Sequence, residues 1–127
     1  HDALDAQRLP EKLNNRSSWQ GEAAPAAAGL IRTGGVGIYH TDAIVRRADA
    51  LQQTSHAQVP PARVHPDTLA TLGLADGAAA EVVQNGSRVR VTVMADNTLP
   101  PNVVHLPQHP ANAALGGLMN AIELEGV

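Results

Sequence analysis

The feature that most constrains the fold is a β-hairpin in the second half of the chain. Val89, Val91 and Val93 alternate with Arg88, Arg90 and Thr92, which is the period-two pattern of a strand with one buried face. The dipeptide Asn85-Gly86 precedes this run and is a preferred two-residue hairpin turn. We therefore predict that residues 80–84 pair with residues 87–94.

A two-residue turn also fixes which side chains face each other. Val82 should lie opposite Val89 as a core pair. Glu81 should lie opposite Arg90, as a cross-strand ion pair worth roughly 0.3 kcal/mol.

Four more segments have the composition of short strands: 30–33, 58–64, 103–106 and 121–125. Pro60 and Pro61 lack a backbone N–H, so the second of these is predicted at a sheet edge. Short strands combined with two brief helices predict a small closed or nearly closed barrel.

The first of the two helices is predicted after Thr41 or Asp42, either of which can cap it. Ile44, Ala48 and Leu51 recur at helical spacing, so they should form the apolar face of an amphipathic surface helix.

The second helix is predicted to begin at His65-Pro66-Asp67, with proline in its first turn. Leu69 and Leu72 should be its buried pair, and Gly73 should end it in a left-handed conformation. Asp76-Gly77 forms the next predicted turn.

The chain is divided by composition near its start. A helical pattern over 1–15 is interrupted by Pro10, and residues 17–28 have the composition of a linker. We predict that residues 1–28 are a helical tail and linker from a preceding domain, and that residues 29–127 form the barrel domain. The start at His1 has no signal peptide, and no apolar run could span a bilayer, so we expect a soluble fragment without direct membrane insertion.

Composition excludes several classes of function. The 127 residues contain no cysteine, which removes thiol catalysis and iron–sulfur ligation from this segment. A net charge of −3 without a basic cluster argues against nucleic-acid binding. With one Trp, one Tyr and no Phe, the core must be aliphatic.

Motifs that could carry chemistry have simpler structural explanations. His105 and His109 are separated by prolines that prevent a shared helix face, and no third metal ligand is nearby. The run Gly34-Gly35-Val36-Gly37 lacks the third glycine of a dinucleotide fingerprint and the lysine of a phosphate loop. His40 and Asp42 have no partner nucleophile. No catalytic residue and no metal site are predicted. Arg46-Arg47 is either a solvated helix face or a pair of which one member points from the helix toward an acidic partner or a groove.

Several landmarks occur in the order found in a known family. They are Leu30-Ile31-Arg32-Thr33-Gly34, Val45-Arg46-Arg47-Ala48, Val64-His65-Pro66-Asp67, Leu72-Gly73-Leu74-Ala75-Asp76-Gly77 and the Pro-rich segment leading to Leu106. Residues 30–120 thereby resemble the C-terminal domain of molybdopterin oxidoreductases such as formate dehydrogenases and nitrate reductases. The resemblance implies a mainly β fold with short helices, a small double-psi β-barrel.

Within that superfamily, residues 37–48 with Leu51-Gln52 resemble the G subunit of NADH-quinone oxidoreductase, complex I. Members that bind molybdopterin guanine dinucleotide usually carry a cation after the Thr-Gly turn, where this chain has Gly35, and an Asn-containing segment where it has residues 116–119. The resemblance therefore implies vestigial cofactor positions and no cofactor in this segment. These positions are Gly34, Gly35, Arg46, Arg47, His109 and Gly116.

Three functions follow as alternatives. The first is a non-catalytic structural domain of the G subunit of complex I, whose parent carries iron–sulfur clusters in electron transfer from NADH to quinone. Its partners would be the rest of its own subunit and other complex I subunits, on the cytoplasmic side of the bacterial inner membrane. The second is the cofactor-contacting domain of an active molybdopterin oxidoreductase. The third is a stand-alone peptide-binding adaptor.

Overall fold

The computed structural model describes residues 29–127. The predicted helical tail and linker over 1–28 lie outside the described residues, so that division of the chain stays a prediction.

The described chain contains six strands separated by short helices and turns. The strands are β1 Leu30–Thr33, β2 Ala62–Val64, β3 Ala79–Gln84, β4 Ser87–Ala95, β5 Val103–His105 and β6 Ala121–Gly126. The α-helices are α1 Asp49–Gln52 and α2 Pro66–Leu72. Single 3-10 turns occur at Ile38–His40, Val45–Arg47, Ser55–Ala57 and Pro110–Asn112.

The strands close into a barrel in the order β1-β5-β2-β4-β3-β6. Two pairs are parallel, β1 with β5 and β2 with β4, although neither pair is adjacent in sequence. Each parallel pair needs a long crossover connection, and the two crossovers give the barrel its double-psi character. The predicted fold class, a mainly β small double-psi barrel with short helices, is confirmed.

The hairpin has the predicted register, with Val82 opposite Val89 and Glu81 opposite Arg90. Asn85 and Gly86 have φ angles of 51° and 79°, as a two-residue turn of the primed type requires. The predicted charge contact is wrong. Glu81 pairs instead with Arg88 at 3.3 Å, and Arg88 also reaches Glu125 at 2.7 Å. Glu81 and Glu125 face each other across β3 and β6, so the guanidinium between them offsets their repulsion.

The core is aliphatic and fills the barrel. Val64, Val82, Val93 and Val104 are fully buried, together with Leu106 at the end of β5. Val, Leu, Ile and Ala supply all the buried apolar side chains of the described residues, as the composition predicted.

The predicted amphipathic helix over residues 41–53 is wrong. The chain forms a 3-10 turn at Val45–Arg47 and then α1, separated by Ala48 in an extended conformation with ψ of 97°. Ile44 is 81% exposed instead of buried. Asp42 Oδ1 accepts from the amides of Ile44 and Val45, but Asp42 is not the predicted cap, because Ile44 is the N-cap of the Val45–Arg47 turn and has no side-chain cap bond. The Gln52 side chain donates to the Val45 carbonyl at 2.9 Å, which stabilises the break between the two short elements.

Two other expectations need correction. The 58–64 strand is not an edge strand, because β2 begins only at Ala62, after both prolines, and pairs with β4 and β5. In α2, Leu69 is buried but Leu72 is 38% exposed, and Thr68 is its second buried residue. The ends of α2 are as predicted, since His65 caps the start and Gly73 has a φ of 68°. No helix in the part of the chain that the structure describes is long and apolar enough to cross a membrane.

Candidate functional site

A cavity of about 320 Å³ opens where the chain leaves β1 and β5. One wall follows β1 and the other follows β5, and a bridge between Val36 and Gln108 joins them. The lining residues are Arg32, Val36, His40, Arg46, Gln108, His109, Pro110, Asn112, Ala113, Leu115 and Gly116. The volume is at the lower end of the range for small-molecule sites.

The most unusual lining residue is Arg32, because it is a charged side chain only 1% exposed. Its Nε donates to the Leu106 carbonyl at 3.1 Å, and its Nη1 donates to the Gly116 carbonyl at 2.9 Å. Longer contacts join Nη1 to Gln84 Oε1 at 3.4 Å and Nη2 to Asn112 Oδ1 at 3.3 Å. The side chain therefore ties β1 to the segment that follows β5.

All four partners of Arg32 are neutral oxygens, and none of the ion pairs among residues 29–127 includes it. Burial lowers the pKa of the Arg32 guanidinium, because desolvation disfavours the charged form. An arginine nevertheless stays charged at neutral pH. The cavity wall thus holds a positive charge that oxygen dipoles solvate.

Both polar side-chain atoms of Asn112 form hydrogen bonds within the protein. Its Oδ1 accepts from the His109 amide at 3.0 Å as well as from Arg32, and its Nδ2 donates to the Pro107 carbonyl at 2.9 Å. His109 in return caps the Pro110–Asn112 turn, with Nδ1 accepting from the Ala111 amide at 3.0 Å. This reciprocal arrangement is a capping box, and it satisfies the orphan amides of the turn.

The second ring nitrogen of His109 is also occupied. Nε2 lies 3.1 Å from the Ala57 carbonyl, which can only accept, so this nitrogen carries the proton. His40 packs edge-on against the same ring, with centroids 4.6 Å apart. The Nε2 of His40 is buried and has no hydrogen-bond partner.

The two arginines predicted from the sequence separate in the structure. Both are exposed and lie in the Val45–Arg47 turn, but Arg46 lines the cavity and Arg47 does not. A 3-10 turn directs consecutive side chains apart by about 120°. The pair therefore does not act as one cationic group.

The three glycines of the vestigial set differ in what they require. A Cβ on Gly34 would lie 2.8 Å from Pro107 Cα, and one on Gly116 would lie 2.5 Å from Asn85 Nδ2. A Cβ on Gly35 would meet nothing within 4 Å. Close packing against the backbone at Leu106 and Pro107 thus explains Gly34. The atom nearest to Gly116 is the end of the flexible Asn85 side chain, which can move, and Gly35 has space for a side chain.

The sequence identified part of this cavity. Arg46, His109 and Gly116 line it, while Gly34, Gly35 and Arg47 do not. The sequence analysis did not predict three other lining residues: Arg32, His40 and Asn112. The spacing His109-Pro110-x-Asn112 was a readable capping signal, but nothing local marks Arg32, whose partners lie 52 to 84 positions away.

The described chain offers no group of three His, Asp or Glu side chains close enough to hold a metal ion. The cavity lining presents polar groups and the Arg32 charge, which suit a polar or anionic group. It contains no nucleophile paired with a base.

Among the solved structures to which this chain is similar, two illustrate partial likenesses. The computationally designed protein msDPBB_sym2 is 20% identical, with a TM-score of 0.46 over 52% of this chain and 78% of that one. Acetylene hydratase from Pelobacter acetylenicus is 23% identical, with a TM-score of 0.43 over 66% of this chain and 13% of that one. The likeness to acetylene hydratase thus involves about an eighth of that enzyme.

No curated protein matches the sequence. A family model does match, over residues 30–125, which is most of the chain and contains the six strands of the barrel except the last residue of β6. The chain belongs to the molydopterin dinucleotide binding domain family.

Proposed function

We propose that this chain is a non-catalytic structural domain at the C-terminal end of the G subunit of NADH-quinone oxidoreductase. Its parent would carry iron–sulfur clusters in electron transfer from NADH to quinone. The domain would pack against the rest of its own subunit and against other complex I subunits, on the cytoplasmic side of the bacterial inner membrane.

The observation that carries this proposal is the commitment of the cavity's donors to the protein itself. Arg32 donates to Leu106 and Gly116, Asn112 is bonded through both side-chain atoms, and His109 uses both ring nitrogens. A pyrophosphate loses strong hydration on burial and needs charge-assisted donors to replace it. The donor set of this cavity does not fit that requirement.

The uncommitted polar groups in the lining are few. They are Arg46 at the exposed rim, the Gln108 side chain and the buried Nε2 of His40. A cation at position 35 would have the space that Gly35 leaves open, yet the chain carries glycine there. A structural domain derived from a cofactor-binding one would explain both the few uncommitted polar groups and the glycine at position 35.

A second candidate is the cofactor-contacting domain of an active molybdopterin oxidoreductase, of the formate dehydrogenase or nitrate reductase type. His40 favours it, because a buried ring nitrogen without a partner is costly unless a ligand satisfies it. Arg46 lines the same cavity and could pair with a phosphate.

Metal analysis of the full-length parent, purified within its complex, separates the two candidates. Iron without molybdenum is the expected result. Stoichiometric molybdenum would overturn the structural proposal and establish the second candidate. Purification under oxygen-free conditions, with a known molybdenum enzyme processed alongside, guards against loss of the metal during preparation.

A further inference from the structure

Strand β4 is longer than β2, its neighbour on one side. β3 pairs with β4 from Ser87 to Thr92, but β2 pairs only with its last part, from Val93 to Ala95. No other strand among the described residues pairs with β4. The first six residues of β4 therefore form an open sheet edge on the side away from β3.

The direction of the backbone groups along this edge follows from the pairing. The Val93 amide donates to the Ala78 carbonyl at 2.9 Å, so Val93 points its backbone groups toward the β3 side. Strand alternation then turns the backbone groups of Arg88 and Arg90 to the opposite side. Pro60 and Pro61 precede β2 and have no N–H with which to continue its ladder.

A groove of about 380 Å³ lies beside this edge. Its lining includes Val59, Pro60, Pro61, Ala79, Arg90 and Thr92. Val59 is 55% exposed, so the groove presents apolar surface next to unpaired backbone groups. That combination is the one used to bind extended peptides by strand addition.

The charges at the edge select the kind of peptide. Arg88 is neutralised by Glu81 and Glu125, whereas Arg90 forms no ion pair with any carboxylate of residues 29–127. Repulsion between the Arg90 side chains of two copies disfavours edge-to-edge pairing of this barrel with itself. The same uncompensated charge favours a strand that carries a carboxylate.

We infer that the β4 edge binds an extended, acidic segment of a neighbouring protein by strand addition. The backbone of that segment pairs with Arg88 and Arg90, an apolar side chain occupies the groove at Val59 and Pro60, and a carboxylate pairs with Arg90. This surface is separate from the cavity at Arg32, since the two share no lining residue.

The test uses the full 127-residue chain, labelled with ¹⁵N, and the capped peptide Ser-Val-Glu-Val-Glu-Val-Ser. We expect saturable shifts of the Arg88, Arg90 and Thr92 amides, and slower hydrogen exchange at Arg88 and Arg90. Arg90→Glu should weaken binding by about threefold to tenfold, because an exposed attraction becomes a repulsion. It should also bind the peptide with Lys in place of Glu better than the unchanged chain does.

Arg90→Lys is the matched control, because it keeps the charge and should bind within about twofold of the unchanged chain. Arg90 is exposed, so a thermal melt should show all three proteins equally folded. Shifts that map elsewhere, or binding without slower exchange at Arg88 and Arg90, would overturn strand addition. Absence of saturable binding at millimolar peptide, or equal affinity for the Glu and Lys peptides, would overturn the acidic-strand inference.

Discussion

The buried guanidinium of Arg32 donates from Nη1 to the carbonyl oxygen of Gly116 at 2.9 Å, across 84 positions of the sequence. This bond and the one to Leu106 join the two walls of the cavity. Their loss leaves buried acceptors without donors, which costs more than the bonds themselves contribute.

Arg32→Met should therefore destabilise the fold by about 2–4 kcal/mol, measured by urea denaturation. Arg88→Met is the control, because Arg88 is exposed and its surface ion pairs contribute little, so its removal should destabilise the fold clearly less than Arg32→Met does. Equal losses of unfolding free energy in the two variants would show that the buried hydrogen bonds of Arg32 stabilise the fold no more than the surface ion pairs of Arg88.

Gly86→Val should lower the free energy of unfolding by about 1–2 kcal/mol, because a β-branched residue resists the φ of 79° at this turn. Gly35→Ala should stay within about 0.5 kcal/mol, since its Cβ meets nothing within 4 Å. An unchanged melting temperature for Gly86→Val would contradict the assigned turn.

Val91→Asp should destabilise the barrel by about 3 kcal/mol or more, because Val91 is 5% exposed and the new carboxylate has no partner in the core. Arg90→Asp, one position away on the outer face, should stay within about 0.5 kcal/mol. Circular dichroism melts of the two variants check the strand phase, and coincident melts would show that it is wrong.

Asp96 makes the free energy of unfolding depend on pH. The pKa of Asp96 lies below its ordinary value of 3.8, first because the Thr98 hydroxyl and amide donate to Oδ1 at 2.5 Å and 2.9 Å, and then because Arg63 lies nearby. A depressed carboxyl pKa stabilises the fold above the unfolded-state pKa, and that contribution is lost as pH falls through the folded-state value.

Thr98→Val should therefore raise the pKa of Asp96 and lower the free energy of unfolding at pH 7. The difference in unfolding free energy between the variant and the unchanged chain should shrink as the pH falls through the folded-state pKa of Asp96. Carboxyl ¹³C titration and urea denaturation at each pH measure the two effects. A difference that grows on acidification would contradict the assigned hydrogen bonds.

The cavity should not bind a dinucleotide in the isolated chain. Calorimetric titration with inorganic pyrophosphate and with GDP should show no saturable heat below about 1 mM, a level of weak binding that corresponds to about −4 kcal/mol. Micromolar binding that Arg46→Glu abolishes would instead support the cofactor-contacting candidate.

Local signals were reliable where they were self-contained. Asn85-Gly86 with alternating valines predicted the hairpin register, and His65-Pro66 with Gly73 predicted both ends of α2. Residues 41–53 do not form the single predicted helix, because side-chain hydrogen bonds from Asp42 and Gln52 stabilise separate short turns. These bonds outweigh the apolar face that the sequence spacing would give one helix. Helical periodicity alone contains no information about such bonds.

The candidate site was less predictable, because distant segments create it. Arg32 lies in a short apolar strand where a charged residue would be assigned to the surface, and its acceptors come from residues 84, 106, 112 and 116. Likewise, Pro60 and Pro61 predicted that the strand after them lies at a sheet edge, but β2 is paired on both sides and the open edge belongs to β4.

The closure of the barrel has a consequence for protein synthesis. β1 is flanked by β5 and β6, the last two strands of the barrel that the ribosome produces. Neither neighbour exists while the intervening hairpin is already complete and able to fold from local contacts. Enclosure of β1 must therefore wait until Ala121–Gly126 has emerged from the exit tunnel, and Leu30 and Ile31 lack their β6 partners throughout that interval. The first strand of the barrel to be synthesised is thus among the last to gain its partners.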